Sequence, residues 1–342
     1  MRRINVLESA SFAILVGIYP LFGQGVTLVG SGYSNPTSIR VSPGQITTIF
    51  VSGLTTDPTK PLNATSLPLP ASLAGISVSI NQSSSSFPVR LLAVEQLNAC
   101  SSALTPPTST VSPDCMVGAI TLQIPYELSS VPAPNSAVGT AFAELVVSGN
   151  SITSKAFPVV VSADNLHVLN TCDAFPSKQS GSQSLVSGGC TSIVTHADGT
   201  LVTADSPALP GETVVIYAYG LGQTNPTPKT GEASPTSAAT LASPVYLRFD
   251  FTSNAMPSPP FVNRASAMPS PTPIFAGLTP GQVGLYQINV TIPSTIPAVD
   301  KCGSTCSHVA CTMYNTVTSN LTIDIGANLS WDGAAICVQP PQ

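Results

Sequence analysis

The side chains able to do chemistry are few in this chain and lie far apart. Three histidines are present: His167, His196 and His308. His196 has a carboxylate, Asp198, two residues away, in a predicted hairpin with a primed Asp-Gly turn. The sequence has no G-x-S-x-G elbow, no H-E-x-x-H pair and no phosphate-binding glycine loop. We therefore predict no catalytic residue, no cofactor and no metal site, although a Ser-His-Asp site can be assembled from residues distant in sequence.

The cysteines are the second reactive set. In an exported chain they favour disulfides, and all are disulfide candidates: Cys100, Cys115, Cys172, Cys190, Cys302, Cys306, Cys311 and Cys337. The simplest local pairings join Cys100 to Cys115 and Cys172 to Cys190, and three connectivities stay open among the other four. The cluster at 302–311 also offers three thiolates and an imidazole for zinc, but its spacing is irregular and an oxidising compartment favours cystines.

These side chains are carried by a chain that repeats itself over the length of a domain. The stretch Pro43 to Leu54 recurs as Pro210 to Leu221, an offset of 210 − 43 = 167 residues. Ile120 to Pro125 recurs as Ile288 to Pro293, with 288 − 120 = 168. Two motifs at nearly one offset indicate a tandem duplication. The longer motif reads as a Pro-Gly turn, a strand of β-branched and aromatic residues, and a closing Gly-Leu.

The remaining sequence alternates short apolar runs with turn residues and has no long helical period. It predicts an all-β fold of two tandem immunoglobulin-like β-sandwich domains related by internal duplication, at 26–163 and 164–342. Only 93–100 favours a helical turn. Two Pro-, Ser- and Thr-rich insertions in the second domain, 224–242 and 253–273, are expected to be extended loops that act as rigid spacers.

The N-terminal segment, 1–25, has the pattern of a signal peptide. It starts with Met1-Arg2-Arg3, continues with an apolar run from Ala10 to Phe22, and ends in small residues at Gly25. The apolar run is shorter than the roughly 20 residues needed to span a bilayer and contains Pro20. We expect cleavage near Gly25, no membrane span afterwards, and a secreted or cell-surface protein.

The composition is that of a weakly charged, stiff protein. Charged residues make up 8% of the chain and the net charge is −5, where ordinary soluble domains carry about 25% charged residues. Such a surface has little attraction for phosphate backbones, so we expect no nucleic-acid partner. The 33 prolines and the cysteines suit an extracellular protein with rigid loops.

Three segments of the second half carry a family resemblance. IVTHADGTLV at 193–202, YAYGLG at 217–222 and AGLTPGQVGLYQINVTIP at 276–293 resemble the Solibacter-type uncharacterised C-terminal domain of exported acidobacterial proteins. The first repeat resembles a more diverged copy, and the Pro-Gly to Gly-Leu core is also similar to IPT/TIG modules. The resemblance implies an exported immunoglobulin-like sandwich with no assigned catalytic activity. The Pro-rich loop before Ala276 and the cysteine-rich tail depart from the family pattern.

Aromatic side chains are the remaining route to a ligand. Tyr217, Tyr219 and Tyr286 are interpreted as core residues, whereas Trp331, in a predicted turn, is the candidate ligand surface. The expected function is an exported, non-catalytic structural or adhesive module. Its partner would be an extracellular protein, a polysaccharide, or itself through unpaired sheet edges. A carbohydrate-binding module is the alternative, and a secreted hydrolase, which needs a histidine and a carboxylate in hydrogen-bond reach, is the third hypothesis.

Overall fold

A computed structural model of the chain describes residues 26–31, 39–54, 62–98, 100, 112, 115–131, 140–149, 152–171, 173, 191–249, 251, 270–296, 321–325 and 330–339. The described residues contain strands and turns but no α-helix, and the strands form four sheets. Their buried apolar side chains fall into two clusters, one within 26–161 and the other within 166–338. The predicted all-β class is therefore confirmed, with one hydrophobic core for each half of the chain.

The first sandwich uses twelve strands: β1 Thr27–Ser31, β2 Ile39–Val41, β3 Ile46–Ser52, β4 Leu62–Asn63, β5 Ser72–Leu73, β6 Ile76–Gln82, β7 Ser85–Pro88, β8 Arg90–Asn98, β9 Met116–Gln123, β10 Ala141–Gly149, β11 Ile152–Thr153 and β12 Phe157–Val161. One sheet has the order β1-β3-β9-β8-β4. The other has the order β2-β12-β10-β6-β5, and in it β2 runs parallel to β12. Lettered from the N-terminus, these are the ABED and GFC sheets of an immunoglobulin sandwich, with the first strand shared between the sheets.

The second sandwich repeats this order with ten strands: β13 His167–Val168, β14 Val194–His196, β15 Thr213–Tyr219, β16 Thr224–Asn225, β17 Thr240–Leu241, β18 Val245–Phe249, β19 Phe275–Leu278, β20 Tyr286–Thr291, β21 Leu321–Ile325 and β22 Ser330–Ala334. Its larger sheet is ordered β13-β15-β20-β19-β17-β16, with β14 also on β15. The smaller sheet is ordered β18-β21-β22. An isolated parallel bridge joins Ala208 to Val338, at the place where β2 meets β12 in the first sandwich.

The internal duplication extends to single hydrogen bonds. The central strand of each copy pairs isoleucine with isoleucine, namely Ile49 with Ile120 and Ile216 with Ile288. The N–H of Gly44 donates to Ile124 O at 3.0 Å, and the N–H of Gly211 donates to Ile292 O at 3.0 Å. Both glycines have a positive φ, 78° and 82°, which is the reason for glycine in the Pro-Gly turn. The internal duplication predicted from the motif offset is confirmed.

The structure corrects three sequence-based assignments of elements. Residues 93–98 continue strand β8 instead of starting a helical turn, because Val94 to Leu97 are buried on both faces of the sheet. The insertion at 224–242, predicted as a loop only, contains β16 and β17. The turn after His196 is not of the primed type, because Gly199 has a positive φ and Asp198 does not.

Some predictions concern residues outside those described. The signal peptide at 1–25 is among them, as is most of the insertion at 253–273. The domain limits at 26–163 and 164–342 stay predictions. Within the described part of the chain, no helix has the length and apolarity to cross a membrane.

Candidate functional site

The two sandwiches meet end to end at a junction built from backbone turns. The turn before β3 in the first sandwich faces the end of β15 in the second. Ser42 Oγ donates to Gly220 O at 3.3 Å, and the backbone N–H of Asn165, between the two sandwiches, donates to the same oxygen at 2.7 Å. The Asn165 side-chain amide donates to Arg40 O at 3.0 Å and to Gln45 Oε1 at 3.2 Å. The segment between the sandwiches is therefore bonded to both of them.

A second set of contacts closes the other side of the junction. Residues 223–234, which we name the clasp, belong to the second sandwich but bond to the first. Five hydrogen bonds join them: Leu69 N to Gly231 O at 2.8 Å, Gly231 N to Gln123 Oε1 at 2.7 Å, Tyr126 N to Thr230 Oγ1 at 2.9 Å, Thr230 Oγ1 to Glu127 Oε2 at 2.7 Å, and Gln223 Nε2 to Tyr126 O at 2.9 Å. Polar bonds to the first sandwich order this segment where apolar burial does not, so it is not a free loop, and its role as a rigid spacer stays a prediction.

Glycines line the junction because the backbones approach too closely for a Cβ atom. A Cβ at Gly220 would overlap the carbonyl oxygen of Asn165, and one at Gly284 would lie 2.8 Å from Gly44 O across the junction. Gly44 is itself covered by the ring of Tyr126, which a Cβ would overlap. Any side chain at these positions has to push the two backbones, or a packed ring, apart.

Two tyrosines are enclosed where the clasp and the first sandwich meet. Tyr286 is fully buried and donates its hydroxyl to Gly222 O at 2.5 Å. Burial raises its pKa well above the ordinary value, and the neighbouring Tyr126 raises it further. Burial also raises the pKa of Tyr126 to about 12. Both phenols therefore stay protonated and neutral over the physiological pH range.

His196 lies outside the junction, at the end of β14, and its partner differs from the predicted one. Its Nδ1 is 2.5 Å from Glu212 Oε1. The hydrogen bond to Glu212 raises the pKa of His196 and outweighs the opposing effect of burial. Asp198, the carboxylate close in sequence, accepts instead from the N–H and Oγ1 of Thr200, at 2.9 and 2.6 Å, which lowers the pKa of Asp198. The hydrolase requirement of a histidine bonded to a carboxylate is thus met by Glu212.

A serine completes a Ser-His-Glu arrangement at this position. Ser206 Oγ lies 3.2 Å from His196 Nε2, which is the order of groups in a nucleophilic triad. The same Nε2 lies 3.1 Å from the carbonyl oxygen of Ser206, and the N–H of Ser206 donates to Thr203 Oγ1. That N–H is therefore occupied and does not serve as an oxyanion donor, and Ser206 is exposed to water. These bonds also hold the turn around Ser206.

His167 makes a similar connection at the other end of its sheet. Its Nε2 is 2.6 Å from Asp173 Oδ2, and its Nδ1 is 3.7 Å from Asp332 Oδ2. Asp332 also accepts from Val168 N at 2.7 Å, and burial raises the pKa of its carboxyl. These contacts tie β13 to β22. Among the described residues no group of three or more His, Cys, Asp or Glu side chains is arranged to hold a metal ion, and His308 lies outside them.

Trp331, the predicted ligand residue, belongs to strand β22 rather than to a turn, and it is half-buried. The register pairs Tyr246 with Asp324 and Asp324 with Trp331, so both aromatic residues stand on the outer face of the sheet β18-β21-β22. Tyr246 is 54% exposed. Sequence analysis missed it, although it alternates with buried Leu247 and Phe249. Of the tyrosines interpreted as core, Tyr286 is buried, whereas Tyr217 and Tyr219 are half-buried.

One predicted disulfide is present. Cys100 and Cys115 are bonded, with their Cα atoms 5.2 Å apart, and they join the end of β8 to the start of β9. Cys337 is disulfide-bonded as well. Five candidates lie outside the described residues, so their pairing and the zinc alternative stay predictions: Cys172, Cys190, Cys302, Cys306 and Cys311.

Comparison with known proteins adds little beyond the fold. No family model matches the chain, and no curated protein matches it. A solved structure described as tandem Ig repeats of Dlar is 9% identical, with 92% of this chain and 98% of that chain covered, at a TM-score of 0.18. Another, described as BspA_C_WT, is 8% identical, with 92% and 99% covered, at 0.21. Likeness at this level carries no argument about function, and the immunoglobulin-like assignment rests on the strand order.

Proposed function

We propose that the chain is an exported, non-catalytic structural or adhesive module whose two sandwiches act as one stiff element. The observation that carries this proposal is the junction. Domains of one chain ordinarily move relative to each other unless their interface is extensive. Here the segment between the sandwiches and the clasp both bond to the first sandwich, so bending at the junction has to break several hydrogen bonds together.

Burial of the bonded groups supports stiffness further. Ser42, Gln45 and Gln123 are all buried at the junction; Ser42 and Gln123 bond to the second sandwich, and Gln45 bonds to Asn165 between the two. A partial opening would leave some of these groups away from water and without a partner, at a cost of about 1–3 kcal/mol each. The interlocking glycines leave little room for a sliding movement. A stiff spacer of this kind is useful where a surface protein holds a binding site away from a cell.

Export and the cell-surface location are part of the same proposal. The Cys100–Cys115 disulfide supports an oxidising compartment, since such bonds are rare in the cytosol. The low charge and the polar uncharged surface agree with an extracellular setting. The resemblance to domains of exported acidobacterial proteins points in the same direction.

Adhesion is tested by coating beads with the oxidised protein and counting the cells of the producing organism that the beads retain. Hydrolysis is tested separately with a panel of fluorogenic esters, glycosides and peptides. We expect retention above that of beads coated with an unrelated protein, and no turnover. Turnover that is abolished by Ser206→Ala, without retention of cells, would overturn the proposal in favour of a hydrolase.

Carbohydrate binding is a second candidate because one observation favours it. Tyr246 and Trp331 stand two strands apart on one outer sheet face, which is a separation of about 10 Å, and aromatic faces of this kind pack against sugar rings. The test is retention on insoluble polysaccharides. Tyr246→Ala should reduce it at least tenfold, whereas Phe142→Ala, which removes an aromatic of similar exposure (49%) from the first sandwich, should not. Equal retention of both variants would remove this candidate.

A further inference from the structure

The far end of the second sandwich presents the surface that the first sandwich buries in the junction. At the offset of 167 residues, 209–213 correspond to 42–46. Ser42 is 0% exposed in the junction, whereas its counterpart Leu209 is 50% exposed. Pro-Gly, the next two residues of the motif, is buried in the first copy and exposed in the second. One copy of this turn is therefore covered by a sandwich, and the other is bare. We name residues 209–213 the distal turn.

The distal turn already has the conformation of its buried counterpart. Gln45 N donates to Ser42 O at 3.1 Å, and Glu212 N donates to Leu209 O at 3.0 Å. In the reverse direction, Ser42 N donates to the Gln45 side chain at 2.9 Å and Leu209 N donates to the Glu212 side chain at 2.8 Å. The bond from Glu212 to His196 adds a second support. A partner would meet a turn that needs no rearrangement, which lowers the cost of association.

The bare turn also differs from the covered one in ways that suit contact with another molecule. A Cβ at Gly44 would overlap Tyr126, whereas at Gly211 nothing lies within 4 Å. The residue at the tip is the apolar Leu209 where the first copy has Ser42. A single exposed leucine is ordinary on a protein surface. Leu209, however, lies on a turn whose counterpart in the first sandwich contacts another sandwich, so we take it as part of a contact surface.

The counterpart of the end of β15, which meets the first sandwich in the junction, lies at the outer end of the first sandwich. In the junction the oxygen of Gly220, at the end of β15, receives the hydrogen bonds from the first sandwich. Its counterpart at the same offset is Gly53, at the end of β3, and the two share a left-handed conformation with φ of 77° and 75°. Each molecule thus carries one end of each kind.

We propose that the distal turn docks the outer end of the first sandwich of a second copy of this chain, in the head-to-tail manner of the internal junction. This inference rests on the proposed structural function and names its partner. Because the two surfaces are different and lie at opposite ends, the contact is heterologous and adds copies head to tail, into a filament or a ring larger than a dimer. The proposed contact uses the ends of the sandwiches, whereas the sequence-based expectation of self-assembly used unpaired sheet edges.

Sedimentation velocity of the oxidised chain without the predicted signal peptide 1–25, at concentrations up to about 1 mM, tests the proposal. Wild type should give species that grow beyond a dimer as the concentration rises. Leu209→Arg places a charge on the tip and should weaken association at least tenfold. Leu201→Arg is the matched control, because Leu201 is 51% exposed on the same sandwich but lies outside the turn, and it should assemble as wild type does. Circular dichroism spectra establish that both variants are folded.

Three results would overturn the proposal: a monomer at every concentration, association of Leu209→Arg equal to that of wild type, or a dimer that does not grow. The outcome is separable from that of the proposed function. A chain that stays monomeric and still retains cells on beads overturns the head-to-tail contact alone. A chain that assembles but turns over a substrate overturns the non-catalytic function alone.

Discussion

The hydrogen bond between His196 and Glu212 shifts the pKa of both side chains. It raises the pKa of His196; for Glu212, burial acts to raise the pKa, but the hydrogen bonds from Leu209 N–H and from His196 lower it overall. A raised histidine pKa stabilises the fold at pH values below the ordinary histidine pKa of about 6.5. This stabilisation is lost as the pH rises through the pKa of the folded state. A lowered glutamate pKa stabilises the fold at pH values above the ordinary pKa of the carboxyl group. This stabilisation is lost as the pH falls through the pKa of the folded state. The pair therefore contributes most in mildly acidic solution.

We predict from this that His196 titrates above 6.5 in wild type and closer to 6.5 in Glu212→Gln, because the variant keeps the shape but removes the charge. Imidazole proton shifts in an NMR titration measure both values. Glu232→Gln is the control variant, because Glu232 pairs with Lys229 and not with His196, and it should leave the His196 titration unchanged. An unchanged His196 titration in the variant would contradict the role given to Glu212.

The two Pro-Gly turns provide a matched pair of substitutions. Gly44 and Gly211 share nearly the same φ, so alanine introduces similar backbone strain in both. At Gly44 alone the new Cβ overlaps the buried ring of Tyr126. We predict that Gly44→Ala lowers the free energy of unfolding by roughly 1–3 kcal/mol more than Gly211→Ala does. Urea denaturation followed by fluorescence measures the difference, and equal losses would show that Tyr126 moves aside freely.

At the scale of elements, the clasp depends on buried bonds to the first sandwich. Gln123 Oε1 accepts from Gly231 N at 2.7 Å and is buried. Gln123→Ala leaves that N–H without its partner, and we predict a loss of about 1–3 kcal/mol in stability together with faster hydrogen exchange of amides in 223–234. Ser148→Ala is the control, because Ser148 bonds Thr153 on the exposed surface between β10 and β11, and neither residue is among those that bond the clasp. Unchanged exchange in the Gln123 variant would contradict the clasp.

The disulfide between β8 and β9 is the second element-scale test. It closes a separation of 15 residues, for which loop entropy gives a stabilisation of about 3 kcal/mol. The double variant Cys100→Ser with Cys115→Ser should lower the unfolding free energy of the first sandwich by about that amount, because the unfolded chain regains the freedom of the loop. Chemical denaturation under oxidising conditions measures it. A variant as stable as wild type would show that the bond adds no constraint.

What the sequence predicts well at this scale is the repeated strand with its turns. Both copies of the motif contain the predicted strand, Ile46–Ser52 and Thr213–Tyr219, because Pro-Gly and β-branched residues act locally. The clasp was mispredicted because Gly231 and Thr230 are ordered by residues more than 100 positions away. The partner of His196 was missed for the same reason. Glu212 lies 16 residues further on and reaches it only because β14 pairs with β15.

At the scale of the whole molecule, duplication explains both the junction and the bare end. A tandem copy of a sandwich places the start of β3 against the end of β15, and it leaves the equivalent turn at 209–213 uncovered. Gly220 is central to this arrangement because its oxygen accepts bonds from Ser42 and Asn165. The account depends on the two sandwiches holding one orientation.

Residual dipolar couplings of backbone amides in both sandwiches, measured in one weakly aligned sample of the oxidised protein, test that claim most directly. We predict that a single alignment tensor fits both sandwiches, and that Gly220→Val separates them because its side chain overlaps Asn165. Gly199→Val, at a hairpin tip with nothing within 4 Å, is the control and should keep the single tensor. Two different tensors in wild type would show a hinge at the junction and contradict the account.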